Sequence, residues 1–150
     1  MSAIRIYLDA NVFISAHETR GAPSDHAWWI LDSVETGEFA AVTSELTLAE
    51  VLVDPIREGD NVLANAYQSI ITSSERMEVA PVDRRTLVEA AFLRTLRRSL
   101  KLPDAIHVAT ARLQGCRYLV SDDRRLPFPP GIRLIQLGPQ AVDLMRAENP

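Results

Sequence analysis

Among the chain's 150 residues only Cys116 is a cysteine and only Lys101 is a lysine. A lone cysteine leaves no partner for a disulfide framework and no thiolate cluster for a metal. Its place between Gly115 and Arg117, where a helix should give way to a strand, suits a structural thiol in a reducing cytoplasm. No run of 18 apolar residues and no charged-then-apolar leader occurs, so neither membrane spanning nor secretion is expected, and a cytoplasmic protein is. Repeats, linkers and low-complexity tracts are missing too, which leaves one domain over residues 1–150. Scarce lysine means that 15 of the 16 basic residues are arginine. Arginine's planar fork suits phosphate, although genome base composition shifts the same ratio. A formal net charge of −4 argues at first sight against a nucleic-acid partner, but the distribution of charge decides more than its sum.

What is present is the makings of a folded domain. A composition 47% apolar and 24% charged is that of a soluble protein, long enough to bury a core without staples. The stretch Ile4-Arg5-Ile6-Tyr7-Leu8-Asp9-Ala10-Asn11 organises it. Ile4, Ile6, Tyr7 and Leu8 suit a strand covered on both faces, the kind found in parallel sheets. Asp9 then stands at the strand's carboxyl end, where open α/β sheets build their sites. The alternative role for Asp9 is to cap the next helix, and this stretch alone leaves both open.

Further strands are expected over Phe39–Val42, Met77–Val82, Tyr118–Val120 and Arg133–Leu137. After Asn11 the pattern reads as an apolar turn, Val12–Ala16, and a polar loop to Pro23, before a helix that Ser24 and Asp25 open and Gly37 closes. That helix carries apolar residues, Trp28 and Trp29 among them, over too wide an arc for one seam, so one side should meet the sheet and the other a partner. A helix over Glu45–Val53 should stop at Asp54-Pro55, and another should span Ile56–Ser73. Asp83 should cap a helix over Arg84–Lys101 whose residues Leu87, Val88, Ala91, Phe92 and Leu96 face the core. On it Arg94, Arg97, Arg98 and Lys101 fall at i, i+3, i+4 and i+7 and make one basic stripe, whose plainest role is a solvated face that complements the helix dipole. A buried helix from Leu102 to Gln114 carries His107, expected to pack rather than react, and a closing helix runs over Pro139–Ala147. Alternating strands and helices predict an α/β fold, a three-layer α/β/α arrangement around a parallel sheet of about five strands.

Five acids stand where such a sheet would gather them. Asp9 follows the first strand, Glu50 lies beyond the second, Asp104 starts the buried helix, and Asp122 and Asp123 follow the fourth strand. Leu46, Thr47 and Val53 are the helical neighbours of Glu50, and on so apolar a stripe its charge needs a cation, either a metal or an arginine. Carboxylates crowded within a few ångströms repel, and a divalent ion relieves them. Oxygen donors without a cysteine or histidine cluster favour Mg²⁺ or Mn²⁺ over zinc. Phosphodiester hydrolysis is the chemistry such a cluster serves best.

Four motifs carry these acids: Leu8-Asp9-Ala10-Asn11, Thr47-Leu48-Ala49-Glu50, Leu102-Pro103-Asp104 running on through Ala111, and Leu119-Val120-Ser121-Asp122-Asp123 running on through Leu126. In their order, over nearly the whole chain, the sequence resembles the PIN-domain ribonucleases, in particular the small toxins of VapBC-type toxin–antitoxin pairs. The resemblance implies a PIN-like fold with the fourth strand beside the first, and a Mg²⁺- or Mn²⁺-dependent endoribonuclease acting on an RNA substrate. It implies catalytic and metal-holding roles for Asp9, Glu50, Asp104 and Asp123. Asp122 stands where asparagine, serine or arginine is more usual, so the fourth metal ligand is open between Asp122 and Asp123. Asn11 and Ser121 are implied to hold the carboxylates by hydrogen bonds. Arg124 and Arg125, together with Arg94, Arg97, Arg98 and Lys101, then read as an RNA-binding rim. The implied partners are a small antitoxin protein that inserts an arginine or aromatic side chain near the acids, and a second copy in a homodimer that uses apolar surface around Trp28, Trp29 or the helix Ile56–Ser73.

Other folds with an aspartate after the first strand fit less well. A haloacid-dehalogenase-type phosphatase needs a second aspartate where Asn11 stands, and a receiver domain needs a late lysine that Lys101, inside a helix, does not supply. The remaining alternative is a catalytically idle PIN-like domain that binds RNA or protein.

Overall fold

The computed structural model describes residues 3–122 and 131–149. The first strand, β1 (Ile4–Leu8), ends at Asp9 and turns at once into a helix, α1 (Ala10–Glu18), where the pattern predicts a turn and a loop. Val12, Phe13 and Ala16 bury one side of α1, and the Asp9 carboxylate caps it by accepting the Asn11 N–H at 3.0 Å. A cap followed by an apolar i, i+1, i+4 face is enough for two helical turns once a core exists to receive that face. The next helix, α2 (Ala22–Glu35), starts before Ser24 because Pro23 fits a first helical turn. Ala27, Ile30 and Val34 face inward on it, while Trp28 and Trp29 stay half exposed.

Strand β2 (Phe39–Ser44) leads into α3 (Glu45–Glu58), capped by the Ser44 hydroxyl, which accepts the Leu46 N–H. Pro55 does not break α3 as expected. It lies in the last turn with its ring buried, so the lost amide is local, and the helix ends at Gly59 in a left-handed conformation, φ 70°. Asp60 then caps α4 (Asn61–Ile70), so the expected helix Ile56–Ser73 is two pieces with a corner between them. The rest of the chain runs through β3 (Met77–Ala80), α5 (Arg84–Leu96), α6 (Leu102–Leu113), β4 (Tyr118–Ser121), β5 (Arg133–Gln136) and α7 (Ala141–Glu148).

All four strand pairs are parallel, in the order β3-β2-β1-β4-β5, so β1 is central with β4 at its side. Side chains alternate across this sheet. Ile6, Leu8, Tyr118 and Val120 enter the core under α1, α2 and α7, whereas Tyr7, Val42 and Leu119 enter the core under α5 and α6. The result is the expected three-layer α/β/α fold. Among the described residues no helix is long and apolar enough to cross a membrane.

Helix α5 departs most from expectation. It buries Thr86, Ala90 and Leu93, while Leu87, Val88, Phe92 and Leu96 are 44%, 65%, 52% and 68% exposed and Ala91 is exposed as well. The sheet face beneath is already covered by α6, so α5 packs against α6 itself. Ala90 allows close approach to that helix's alanines where a larger side chain would not. The expected basic stripe fails for a related reason. α5 stops at Leu96, Arg97 is extended at φ −149°, and the chain crosses to bury Leu100, whose carbonyl accepts from Arg94 Nε at 3.0 Å. Arg97, Arg98 and Lys101 are exposed on this link and share no helical face with Arg94.

Candidate active site

The parallel register pairs Leu8 with Val120, and the Asp9 N–H reaches the Val120 carbonyl at 3.4 Å, so Asp9 and Ser121 leave two neighbouring strands side by side. Asp9 is only 8% exposed and Ser121 is fully buried. The Asp9 carboxyl is pushed up to about 6 from 3.8, chiefly because burial strips water from the charged form. The negative charge of Asp122 adds to the rise, while a hydrogen bond with Ser121, the field of His107 and the Asn11 amide oppose it. Asn11 therefore holds Asp9 as expected, but through its backbone N–H, and Ser121 does so through its side chain. Asp9 is helix cap and partner of Ser121 together, because the strand tip at which α1 starts is also the tip next to β4.

Glu50 projects from the second turn of α3 with its side chain about a third exposed. Among the described residues the side chain that meets it is not an arginine but a histidine. His107 of α6 brings Nε2 to 3.0 Å from Glu50 Oε1. The other ring nitrogen, Nδ1, lies 2.5 Å from the hydroxyl of Tyr7, which is itself fully buried in β1. His107 is 5% exposed, and it packs edge-on against the Tyr7 ring. Asp104 sits in the first turn of α6, one turn ahead of His107, on a helix opened by Pro103.

Sequence reasoning left His107 out of the site. Two signals stood in the chain: Asp104 and His107 are three apart and share a helix face, and a tyrosine inside a doubly covered strand needs a partner for its hydroxyl. The expectations for Asp123, Arg124 and Arg125 fall outside the described residues. Among the described residues no three His, Cys, Asp or Glu side chains form a ready-made group able to hold an ion. What the fold brings together is Asp9 with Ser121 and Asp122 on one side, and Glu50 with His107 and Tyr7 on the other, His107 acting electrostatically on Asp9 as well. A groove of about 410 Å³ between α2 and α7, lined by Trp29, Thr36, Val142 and Arg146, shares no residue with these groups.

Comparison with known proteins agrees with this geometry. The chain is similar to a toxin–antitoxin complex from Klebsiella pneumoniae, at 22% identity and a TM-score of 0.64 over 85% of this chain and 94% of that one. It is similar to VapBC2 from Rickettsia felis bound to a DNA fragment from their promoter, at 16% identity and a TM-score of 0.68 over 89% and 98%. It is similar to Mycobacterium tuberculosis VapC20, described as a Sarcin-Ricin loop cleaving toxin, at 20% identity and a TM-score of 0.62 over 76% and 86%. No curated protein sequence matches the chain. The likenesses to solved structures are likenesses of fold, and the family profile that matches residues 6–128 is that of the PIN domain. With most of its length in that match, and with β4 beside β1 bringing Asp9 to Ser121, the chain belongs to the PIN-domain family.

Proposed function

We propose that the protein is a cytoplasmic endoribonuclease that uses Mg²⁺ or Mn²⁺ to hydrolyse RNA phosphodiester bonds, and that it is the toxin of a type II toxin–antitoxin pair. The observation that carries this reading is Asp9, a carboxyl buried beside Ser121 and within the field of Asp122, at the tip of the central strand. A buried carboxylate with an acidic neighbour is short of positive charge, and Glu50, Asp104 and Asp122 offer oxygen ligands of the kind a hard divalent ion takes. The chemistry of this all-oxygen donor set fits such an ion. When bound, it supplies charge neutralisation and Lewis acidity at the scissile phosphate. Asp9, Asp104 and Asp123 would hold it, with Asp122 the alternative to Asp123, while Glu50 helps to hold the ion or to orient water. Ser121 and the Asn11 amide fix Asp9. Arg97, Arg98 and Lys101, exposed just ahead of Asp104, are suited to RNA phosphates, and Arg124 and Arg125 extend that role.

The names of similar complexes support an antitoxin as partner, one that inserts an arginine or aromatic side chain near the acids. The test is cleavage of an RNA substrate by purified protein. Cleavage should vanish in excess chelator, return with Mg²⁺ or Mn²⁺, and fall on the order of a hundredfold or more in Asp9→Asn or Asp104→Asn. Undiminished cleavage in excess chelator would overturn the metal-dependent reading, and RNA binding without any cleavage would favour the idle binding domain.

A further inference from the structure

Helix α2 gathers negative charge at the end where a helix least favours it. Its last turn holds Asp32 and Glu35, and Ala22–Glu35 contains no arginine or lysine. The C-terminal end of a helix dipole is itself negative, so carboxylates there call for a cation. Asp32 is exposed and pairs with no described base. It lines the groove of about 410 Å³ between α2 and α7, which Asp143 of α7 lines as well. The one base in that groove, Arg146, is already engaged. It donates to Glu38 through Nε at 2.6 Å and Nη2 at 2.7 Å, a bidentate pair that holds the Glu38 carboxyl below its usual range, and it comes no closer to Asp143 than 3.6 Å. Three carboxylates thus stand against one guanidinium, and the groove is short of positive charge.

The groove also has an aromatic wall. Trp29 is half exposed, and its indole N–H makes no hydrogen bond with a described residue, whereas that of Trp28 is taken by the Ala16 carbonyl. Trp29 packs at a tilt of 43° against His26, with 5.4 Å between ring centres, and His26 lines a second cavity of about 380 Å³ together with Leu137 and Leu144. Pro139 lines both cavities, so they adjoin. An indole beside carboxylates suits a guanidinium, which stacks on the ring and offers its fork to the acids. We propose that the α2–α7 groove docks an arginine-bearing segment of a partner protein, its guanidinium held by Trp29, Asp32 and Asp143 and an apolar neighbour filling the cavity of Leu137 and Leu144. RNA fits worse, since its phosphates would meet the same carboxylates. A small free cation would leave the apolar cavity empty. The groove shares no residue with Asp9, Glu50 or His107, and its role does not depend on the nuclease reading.

The chain has two tryptophans, so proton–nitrogen NMR gives two indole N–H signals, which Trp29→Phe assigns. The probe is a short blocked peptide of alternating arginine and leucine, added to the full chain. Its glutamate–leucine counterpart, arginine amide and a short RNA are the controls. The arginine–leucine peptide should shift the Trp29 signal to saturation and leave that of Trp28 in place, while the glutamate counterpart and the RNA shift neither. Arginine amide, without the leucines, should need a roughly tenfold higher concentration. Asp32→Asn and Asp143→Asn should each raise the half-saturating concentration of the peptide roughly fivefold. Asp32→Asn should also melt no lower than wild type, because it removes a carboxylate from the negative end of a helix. A Trp29 signal unmoved by about 10 mM peptide, or half-saturation within about twofold of wild type in both variants, overturns the proposal. A signal that answers equally to arginine amide, to RNA or to concentrating the protein alone overturns it too, and gives the groove to a free cation, a nucleic acid or a second copy.

Discussion

Asp9 caps α1 and is buried beside Ser121, and burial makes its charge expensive in spite of the cap. It accepts the Asn11 N–H, and it lies buried beside Ser121 and within the field of Asp122. Because its carboxyl is held near 6 in the fold against an ordinary 3.8, the folded state keeps the proton more tightly than the unfolded chain. Between about pH 4 and pH 6 the native state therefore binds more protons, and stability of the metal-free protein falls as pH rises through that window, by on the order of 2 kcal/mol in total. Asp9→Asn keeps a capping oxygen and removes the charge. Urea unfolding in chelator across that range should find wild type losing stability relative to Asp9→Asn as pH rises. Parallel curves would mean that the Asp9 carboxylate is well solvated after all.

At the scale of the element, α5 inverts the usual reading of an amphipathic helix. Its more apolar stripe points outward and its smaller residues point inward against α6. Leu93→Ala should therefore cost roughly 2–4 kcal/mol, since it empties a packed position, whereas Phe92→Ala should change the stability of the monomer by less than about 0.5 kcal/mol. Urea unfolding at high dilution measures both, and a larger cost for Phe92→Ala would return the helix to the orientation that its periodicity suggests. Pro55 and Gly59 teach the same point in α3. A proline in a last turn is tolerated when its ring is buried, and the glycine, free to adopt φ 70°, does the stopping.

At the scale of the molecule, the exposed side chains of Leu87, Val88, Phe92 and Leu96 form a larger apolar surface than the half-exposed tryptophans of α2 or Val62 of α4. Trp28 is also partly engaged, donating its indole N–H to the Ala16 carbonyl at 3.0 Å. A stable interface buries about 800 Å² on each partner, and α5 is the face best suited to begin one. We therefore expect a homodimer at micromolar concentration, and a monomer with an unchanged fold after Phe92→Asp with Leu96→Asp. Sedimentation with circular dichroism reads both. Wild type that sediments as a monomer would sink the dimer, and a double variant that still dimerises would return the interface to α2 or α4.

The order of the strands, the parallel sheet, and the placing of Asp9 and Asp122 at strand ends and of Asp104 in a helix's first turn were legible in the chain, because they depend on local patterning: an apolar run ending in an acid, a cap, a proline opening a helix. That Asp9 both caps α1 and meets Ser121 was not legible, since it depends on β4 lying next to β1 and on α1 starting at that same tip. The partner of Glu50 was equally hidden. Tyr7 and His107 are one hundred residues apart in the chain and meet only because β1 passes beneath α6. Periodicity named the apolar face of α5 correctly but could not say which way it points, for a helix that packs on another helix turns inward whatever face fits the gap, not its most apolar one. Local chemistry thus determined which segments fold and where charge collects, while tertiary packing decided which groups share a hydrogen bond and which face is left for a partner.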